Sequence, residues 1–247
     1  MERKDFLKKG FIAALGITAI APLASSCKKE DLTSDGTSTT GTGTGTSSGS
    51  SSGSCTVSPT ETAGPFPTKS PSSLVTNDIR SDRTGVPFTI KITINNKNAN
   101  CAALAGAIVD IWHCDKDGYY SEYGGTGMQS ANFTSVHFLR GRQVTDANGL
   151  VQFTSIFPGW YSGRAPHIHV HIYNASGTSL LVTQIAFPTD VCNTVYTTAT
   201  NYYTRGTQDT SNARDNVFSD SLANQLASIT GSVSAGYTLT HVITVAA

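Results

Sequence analysis

The stretch from Phe157 to His171 reads F-P-G-W-Y-S-G-R-A-P-H-I-H-V-H. In an extended chain, residues two apart point to the same face. His167 and His169 therefore project side by side, spaced to bind one metal ion. Ile168 and Val170 face the other way, into apolar packing. Tyr161 and Arg164 lie on the preceding loop, close enough to fold back over the histidines. The plain alternative is a solvent-facing polar row on an edge strand, because a His-x-His signal is short. A further reading of the same pair is a zinc or Fe(II) centre completed by an acid such as Asp110.

These residues need strands to hold them, and the sequence supplies strands. Pro87 to Asn95 alternates, and Ala107 to His113 is β-branched and aromatic. Gln143 to Thr145 and Leu150 to Ile156 flank Asp146-Ala147-Asn148-Gly149, whose Asn-Gly predicts a hairpin turn. His167 to Tyr173 alternates strictly, and Leu180 to Phe187 and Tyr237 to Val245 complete the set. Asp220 to Ser228 alone reads as helical. Many short strands with Gly/Pro turns predict an all-β fold, a β-sandwich of mostly antiparallel strands with long loops and at most one or two short helices.

A second segment, Gly106 to Tyr120 (G-A-I-V-D-I-W-H-C-D-K-D-G-Y-Y), runs as a strand into a turn and two tyrosines. Taken with Pro158-Gly159-Trp160-Tyr161, Arg164 and His167-Ile168-His169, it resembles the intradiol ring-cleavage dioxygenases. Thr62-Ala63-Gly64-Pro65-Phe66 is similar to that family's T-x-G-P-[FY] segment. Phe138-Leu139-Arg140-Gly141 and Thr145-Asp146-Ala147-Asn148-Gly149 match its F-x-R-G and T-D-x-x-G elements. The resemblance covers Thr60 to about Phe218.

The resemblance implies a non-haem Fe(III) ion held by two tyrosines and two histidines. The first tyrosine ends a W-x(7)-Y segment, which from Trp112 gives Tyr120; the second follows P-G-x, giving Tyr161. The histidines are His167 and His169. Tyr161 would be ligand and base in turn, Arg164 would stabilise negative charge on the ring, and Gln184 would orient substrate or O2. Two phenolates and a hydroxide would balance the three charges of the ion, and two neutral imidazoles would complete its shell. The implied reaction opens a catechol with O2 between its hydroxylated carbons, giving a cis,cis-muconate-type dicarboxylate. His171 shares the histidine face but is not a family ligand. His113, His137 and His241 read as satisfied or exposed, and Tyr119 as packing. The interval from Tyr161 to His167 is shorter than in the best-known members, which implies a more open pocket wall. The competing class is a non-catalytic, transthyretin-like β-sandwich binding module, which would not require Tyr120, Tyr161, His167 and His169 together.

The rest of the chain bounds where this chemistry happens. Of 247 residues, 17 are Lys or Arg and 17 are Asp or Glu, so the formal net charge of zero argues against nucleic acid as a partner. The expected partners are a small catechol and O2 and, by family analogy, a second copy in a homodimer. Residues 1–26 read as a signal peptide: Arg3, Lys4, Lys8 and Lys9 precede an apolar run from Phe11 to Ala24, too short to span a bilayer. Arg3-Lys4-Asp5-Phe6-Leu7-Lys8 also resembles a twin-arginine export signal. Ala24-Ser25-Ser26-Cys27 resembles a lipoprotein box, with Cys27 lipidated. Residues 27–54 then form a tether, for Gly36 to Ser54 are all Gly, Ser or Thr and have no apolar area to offset ordering entropy. The expectation is an exported, membrane-anchored lipoprotein whose domain occupies residues 55–247. Outside the cytoplasm Cys55, Cys101, Cys114 and Cys192 can form disulfides, and spacing does not choose among the pairings.

Overall fold

The structure is a computed structural model that describes residues 55–247. The signal peptide, the lipidated Cys27 and the tether expected at 1–54 lie outside the described residues. The described chain runs β1 (Pro87–Asn96), β2 (Ala102–Ala103), β3 (Ile108–Trp112), β4 (Arg140–Val144), β5 (Leu150–Ile156), β6 (His167–Tyr173), β7 (Ser179–Ala186), α1 (Thr189–Thr198), β8 (Ser228–Ser232) and β9 (Gly236–Val245). Two sheets form a sandwich. One orders β4-β3-β6-β7, all antiparallel; the other orders β2-β1-β9-β8, with β5 also pairing β1. Among the described strand pairs only β1–β9 is parallel.

Alternation builds the core. Phe88, Ile90, Ile92 and Ile94 of β1 meet Val109, Ile111, Ile168, Val170 and Ile172 of the facing sheet, all buried. Burying each such side chain stabilises by roughly 1.5–3 kcal/mol. The other face of β3-β6-β7 is left for polar groups. Across it the register sets Trp112, His169 and Gln184 in one row, since Trp112 and Gln184 are the two neighbours of His169. Because β6 lies between β3 and β7, the histidine pair is on a central strand and not on a polar edge.

Three sequence expectations change. The Asp146–Gly149 turn exists, with Gly149 at φ +70° and Asp146 Oδ1 accepting from the Asn148 and Leu150 amides. It is a corner between sheets and not a hairpin: β4 pairs with β3, whereas β5 pairs with β1. The Ile94 amide takes the Gly149 carbonyl at 2.8 Å and fixes that corner. Asp220–Ser228 is no helix beyond one 3-10 turn at Leu222–Asn224. Its backbone is drawn instead to the end of β7, where Ala186 N–H donates to Gln225 O and Ala227 N–H to Ala186 O. The α-helix is Thr189–Thr198, whose many β-branched residues hide it. Asp190 in its first turn suits the helix dipole, and buried Cys192, Val195 and Tyr196 give it one apolar face.

Cys55 and Cys101 form a disulfide with Cα atoms 5.7 Å apart, while Cys114 and Cys192 are buried free thiols. From Cys55 the chain crosses the domain as a strap. Ser58 bonds Thr244, and the Glu61 amide donates to Val182 O. Among the described residues no helix is long and apolar enough to cross a membrane.

Candidate metal centre

Four segments converge on the polar face of β3-β6-β7. His167 and His169, both buried, come from β6. Their Nε2 atoms stand 3.1 Å apart. The Tyr120 hydroxyl lies 3.4 Å from His167 Nε2, and the Tyr161 ring packs edge-on to both His167 (5.6 Å) and Tyr120 (5.8 Å). Arg164 donates to Gln184 Oε1 at 2.7 Å and reaches the Tyr161 hydroxyl at 3.4 Å. Gln184 in turn donates to the Thr62 carbonyl, tying β7 to the strap.

Each tyrosine loop is built by its neighbours. Asp115 Oδ1 accepts from the Asp117 and Tyr119 amides, making the turn that leads to Tyr120. Gln129 then clamps Tyr120 on both sides, accepting from its N–H and donating to its C=O. The Tyr161 loop docks on the same turn, since Gly159 N–H donates to Asp115 O. Tyr196 and Tyr203 hydroxyls hold the Pro158 and Phe157 carbonyls from behind. The strap closes the site from above. Phe66 stacks on Tyr120 at 4.8 Å, and Gly64, at φ +69°, lies so close that a Cβ there would stand 2.9 Å from His169 Cε1. Buried Arg140 fastens strap to loop, donating to the Phe66 carbonyl, to Thr68 and to Ser121.

The donor set fits a hard cation. His167 Nδ1–H donates to the Ala165 carbonyl at 2.6 Å, so Nε2 keeps its lone pair. His169 is stacked on Trp112 at 4.9 Å and its Nδ1 is buried with no partner. Since His167 Nε2 carries no proton, His169 Nε2 either donates to it or, with the His169 proton on Nδ1, shares with it one acceptor of both lone pairs. Two nitrogens bound to one ion at roughly 2.1 Å and about 90° stand about 3 Å apart, close to the separation seen. Burial pushes the Tyr120 phenol well above its usual pKa and raises that of Tyr161, so neither ionises without a cation. Burial likewise lowers His167 to about 3 and His169 well below the ordinary range, which keeps both imidazoles neutral and able to bind metal.

Asp110 does not complete the pair. Its carboxylate is held by Arg142 at 2.5 and 2.7 Å, and it stands opposite His171 in the register. His171 bonds Ser179 and Tyr173, away from the other two histidines. His113 is satisfied by the Cys114 carbonyl and Ser155, exposed His137 pairs with Glu122, and His241 is half-buried on β9. Tyr119 packs against Phe133 at 5.8 Å. Among the described residues no three His, Cys, Asp or Glu side chains gather as a metal site. The gathered set is two imidazoles and two phenols.

A family model described as Dioxygenase matches residues 63–218, more than half of the chain. The chain belongs to the intradiol ring-cleavage dioxygenase family. It is similar to chlorocatechol 1,2-dioxygenase of Rhodococcus opacus, 29% identical over 51% of this chain and 52% of that protein. It is also similar to catechol 1,2-dioxygenase 1 of Acinetobacter lwoffii, 28% identical over 42% of this chain and 37% of that one. The chain thus spans about half or less of these relatives' length. Among solved structures it resembles an intradiol ring-cleavage dioxygenase from Tetranychus urticae: 27% identity, 78% of this chain, 95% of that chain, TM-score 0.69. The family match begins at Ala63, inside the strap, and so includes Gly64 and Phe66. Sequence reasoning quoted both within a motif but assigned neither a task; their packing on His169 and Tyr120 supplies one. Trp112 served only for counting, yet its ring is the platform of His169.

The buried histidines make the metal-free protein acid-sensitive. His113 and His167 are lowered to about 4 and about 3, against 6.5 for the unfolded chain. Between those values the unfolded state binds more protons, so stability present above pH 6.5 is lost as pH falls toward 4. Each group contributes a slope of about 1.4 kcal/mol per pH unit. Thermal melts of chelator-treated protein at pH 7 and pH 5 are expected to show a lower midpoint at pH 5. An unchanged or higher midpoint would remove the neutral-imidazole assignment.

Proposed function

We propose that this domain opens the ring of a catechol-type aromatic with O2, between the two hydroxylated carbons, at a non-haem ferric ion held by Tyr120, Tyr161, His167 and His169. The convergence of two phenols and two imidazoles from separate segments carries this reading. A ferric ion bound there supplies Lewis acidity, which activates a chelated catecholate toward O2 and lets buried tyrosines ionise at neutral pH. Hard phenolate oxygens suit that ion better than the softer metals.

The chain's own residues supply the remaining functions. The Tyr161 oxygen, beside Arg164, would accept a proton from the catechol, and the guanidinium would steady the charge on that oxygen. Arg164 and Gln184, locked together at 2.7 Å, present fixed dipoles toward the ring, which need no reorganisation as charge develops. Phe66, Trp112 and the strap exclude water from the ligand set. The expected product is a cis,cis-muconate-type dicarboxylate.

The test is optical. Purified protein loaded with ferric iron is expected to absorb visible light through tyrosinate-to-iron charge transfer. Anaerobic addition of a catechol should move that band to longer wavelength, and admitting O2 should bleach the complex as a dicarboxylate forms. A protein that stays colourless after ferric loading would sink the reading.

We also propose that the domain works outside the cytoplasm. The disulfide between Cys55 and Cys101 supports this, because such bonds persist in oxidising compartments. So does the basic and then apolar start of the sequence. Non-reducing digestion of protein from its native host should yield the Cys55 peptide linked to the Cys101 peptide, in a fraction released with membranes. Reduced cysteines in a cytosolic fraction would contradict it.

A further inference from the structure

Asp215 lies in the loop after α1 and belongs to none of the motifs that mark the site. Its carboxylate is completely buried. Oδ2 accepts from Arg164 Nε at 2.8 Å and from the Ala165 amide at 2.7 Å, and Oδ1 accepts from the Val217 amide at 2.9 Å. Amides could be satisfied by a neutral oxygen. A buried carboxylate carries a heavy desolvation penalty and persists where a partner charge needs it. Here that charge is Arg164, whose side chain is only 11% exposed. The guanidinium is held on three sides: Asp215 on Nε, Gln184 on Nη2, and the Tyr161 hydroxyl on Nη1. The neighbouring Ala165 is gripped by the same oxygen, and its carbonyl accepts from His167 Nδ1. One carboxylate therefore sets the two adjacent residues through which the loop touches the ligand set.

Resting on the dioxygenase reading above, we propose that Asp215 is a positioning residue for ring opening, holding Arg164 in the plane from which it meets Tyr161 and Gln184. It touches neither substrate nor metal. Without it, the guanidinium keeps its charge but loses the bond that fixes its orientation. A displacement of about 1 Å in such a group can reduce the rate on the order of 10²-fold.

The experiment uses the full chain and three variants: Asp215→Asn, Arg164→Ala and the double variant. Asp215→Asn keeps the size but removes the charge, and its one carbonyl oxygen cannot serve both Val217 N–H and the side that Arg164 Nε–H shares with Ala165 N–H, so the hold on Arg164 is weakened. Its kcat is expected to fall roughly 10- to 100-fold with KM changed less than about 3-fold. The double variant should turn over within about 3-fold of Arg164→Ala, since Asp215 acts through Arg164. A second readout is independent of turnover. In the 15N–1H spectrum of metal-free protein, the Arg164 Nε–H resonance, identified by its loss in Arg164→Ala, should be protected from exchange in wild type and should exchange at least about tenfold faster in Asp215→Asn. Wild-type kcat in Asp215→Asn with the resonance still protected would overturn the proposal, as would multiplicative losses in the double variant. Should Asp215→Asn fail to fold, Asp215→Ala/Arg164→Ala removes both charges together. Turnover like Arg164→Ala supports the proposal, and a further tenfold loss overturns it. If wild type opens no catechol, the dioxygenase reading fails, and the Nε–H resonance still decides whether Asp215 holds Arg164.

Discussion

Tyr161→Phe and His167→Ala are each expected to reduce catechol ring opening by more than about 10³-fold while leaving the sandwich folded. The two variants attack the site differently. Tyr161→Phe removes one oxygen and keeps the ring, so the edge contacts to Phe66, Tyr120 and His167 survive and packing is nearly conserved. The partner of Arg164 Nη1 disappears, and with it, on the proposed reading, an anionic ligand and the proton acceptor for the incoming catechol. His167→Ala instead deletes the imidazole whose Nε2 faces both His169 and the Tyr120 hydroxyl. The core lies on the opposite face of β6, through Ile168, Val170 and Ile172, so the strand itself is held without His167. Iron per chain by metal analysis, the charge-transfer band and circular dichroism separate the outcomes. Tyr161→Phe should keep part of its iron with an altered band, whereas His167→Ala should lose most of it. Wild-type turnover in either variant would mean that the ligand set is wrong.

The histidine pair was legible in the sequence from its period alone, whereas the two tyrosines entered through the family resemblance. Strict alternation in His167 to Tyr173 places the histidines on one face whatever the rest of the domain does, and the strand bounds agree with that reading. Tyr120 was implied only by the family resemblance, through its W-x(7)-Y segment; the turn that brings it beside His167 is fixed by Asp115 and Gly118. What escaped was set by tertiary contacts. Thr189–Thr198 has poor helix propensity and is helical because its apolar face docks on the core. Ser228–Ser232 is rich in small polar residues and is a strand because β9 offers it an edge. Asp146–Gly149 has hairpin chemistry, yet the sandwich sends its two flanks to different sheets. Asp215 is a lone acid in a polar loop, and only the folded chain shows it beneath Arg164.

The convergence of the two tyrosine loops leads to the second large effect, expected at a position outside the ligand set. Gly118 sits at φ +88°, where an L side chain is strained, and a Cβ built there would stand 2.2 Å from the Trp160 carbonyl oxygen and 2.5 Å from Arg205 Nη1. Arg205 can move, but the Trp160 carbonyl cannot do so cheaply. It belongs to the loop that carries Tyr161, docked on Asp115 through Gly159 and held from behind by Tyr196. Gly118→Ala must therefore strain its own backbone or push the two loops apart. The left-handed conformation costs roughly 1–2 kcal/mol and the overpacking typically 1–3 kcal/mol, so a total near 3 kcal/mol is expected. Part of that strain should relax by separating Tyr120 from Tyr161, two residues on from Gly118 and one on from Trp160. The variant should melt several degrees lower, bind ferric iron at well below one per chain, and lose at least about 10² in turnover. Gly163→Ala is the matched control. That glycine is also at positive φ, with open space around its Cβ position, so it carries the backbone strain without the collision. If Gly118→Ala and Gly163→Ala behave alike in iron content, the glycine serves only its own turn. If Gly118→Ala alone loses iron, contact between the loops is what sets the distance between the phenols.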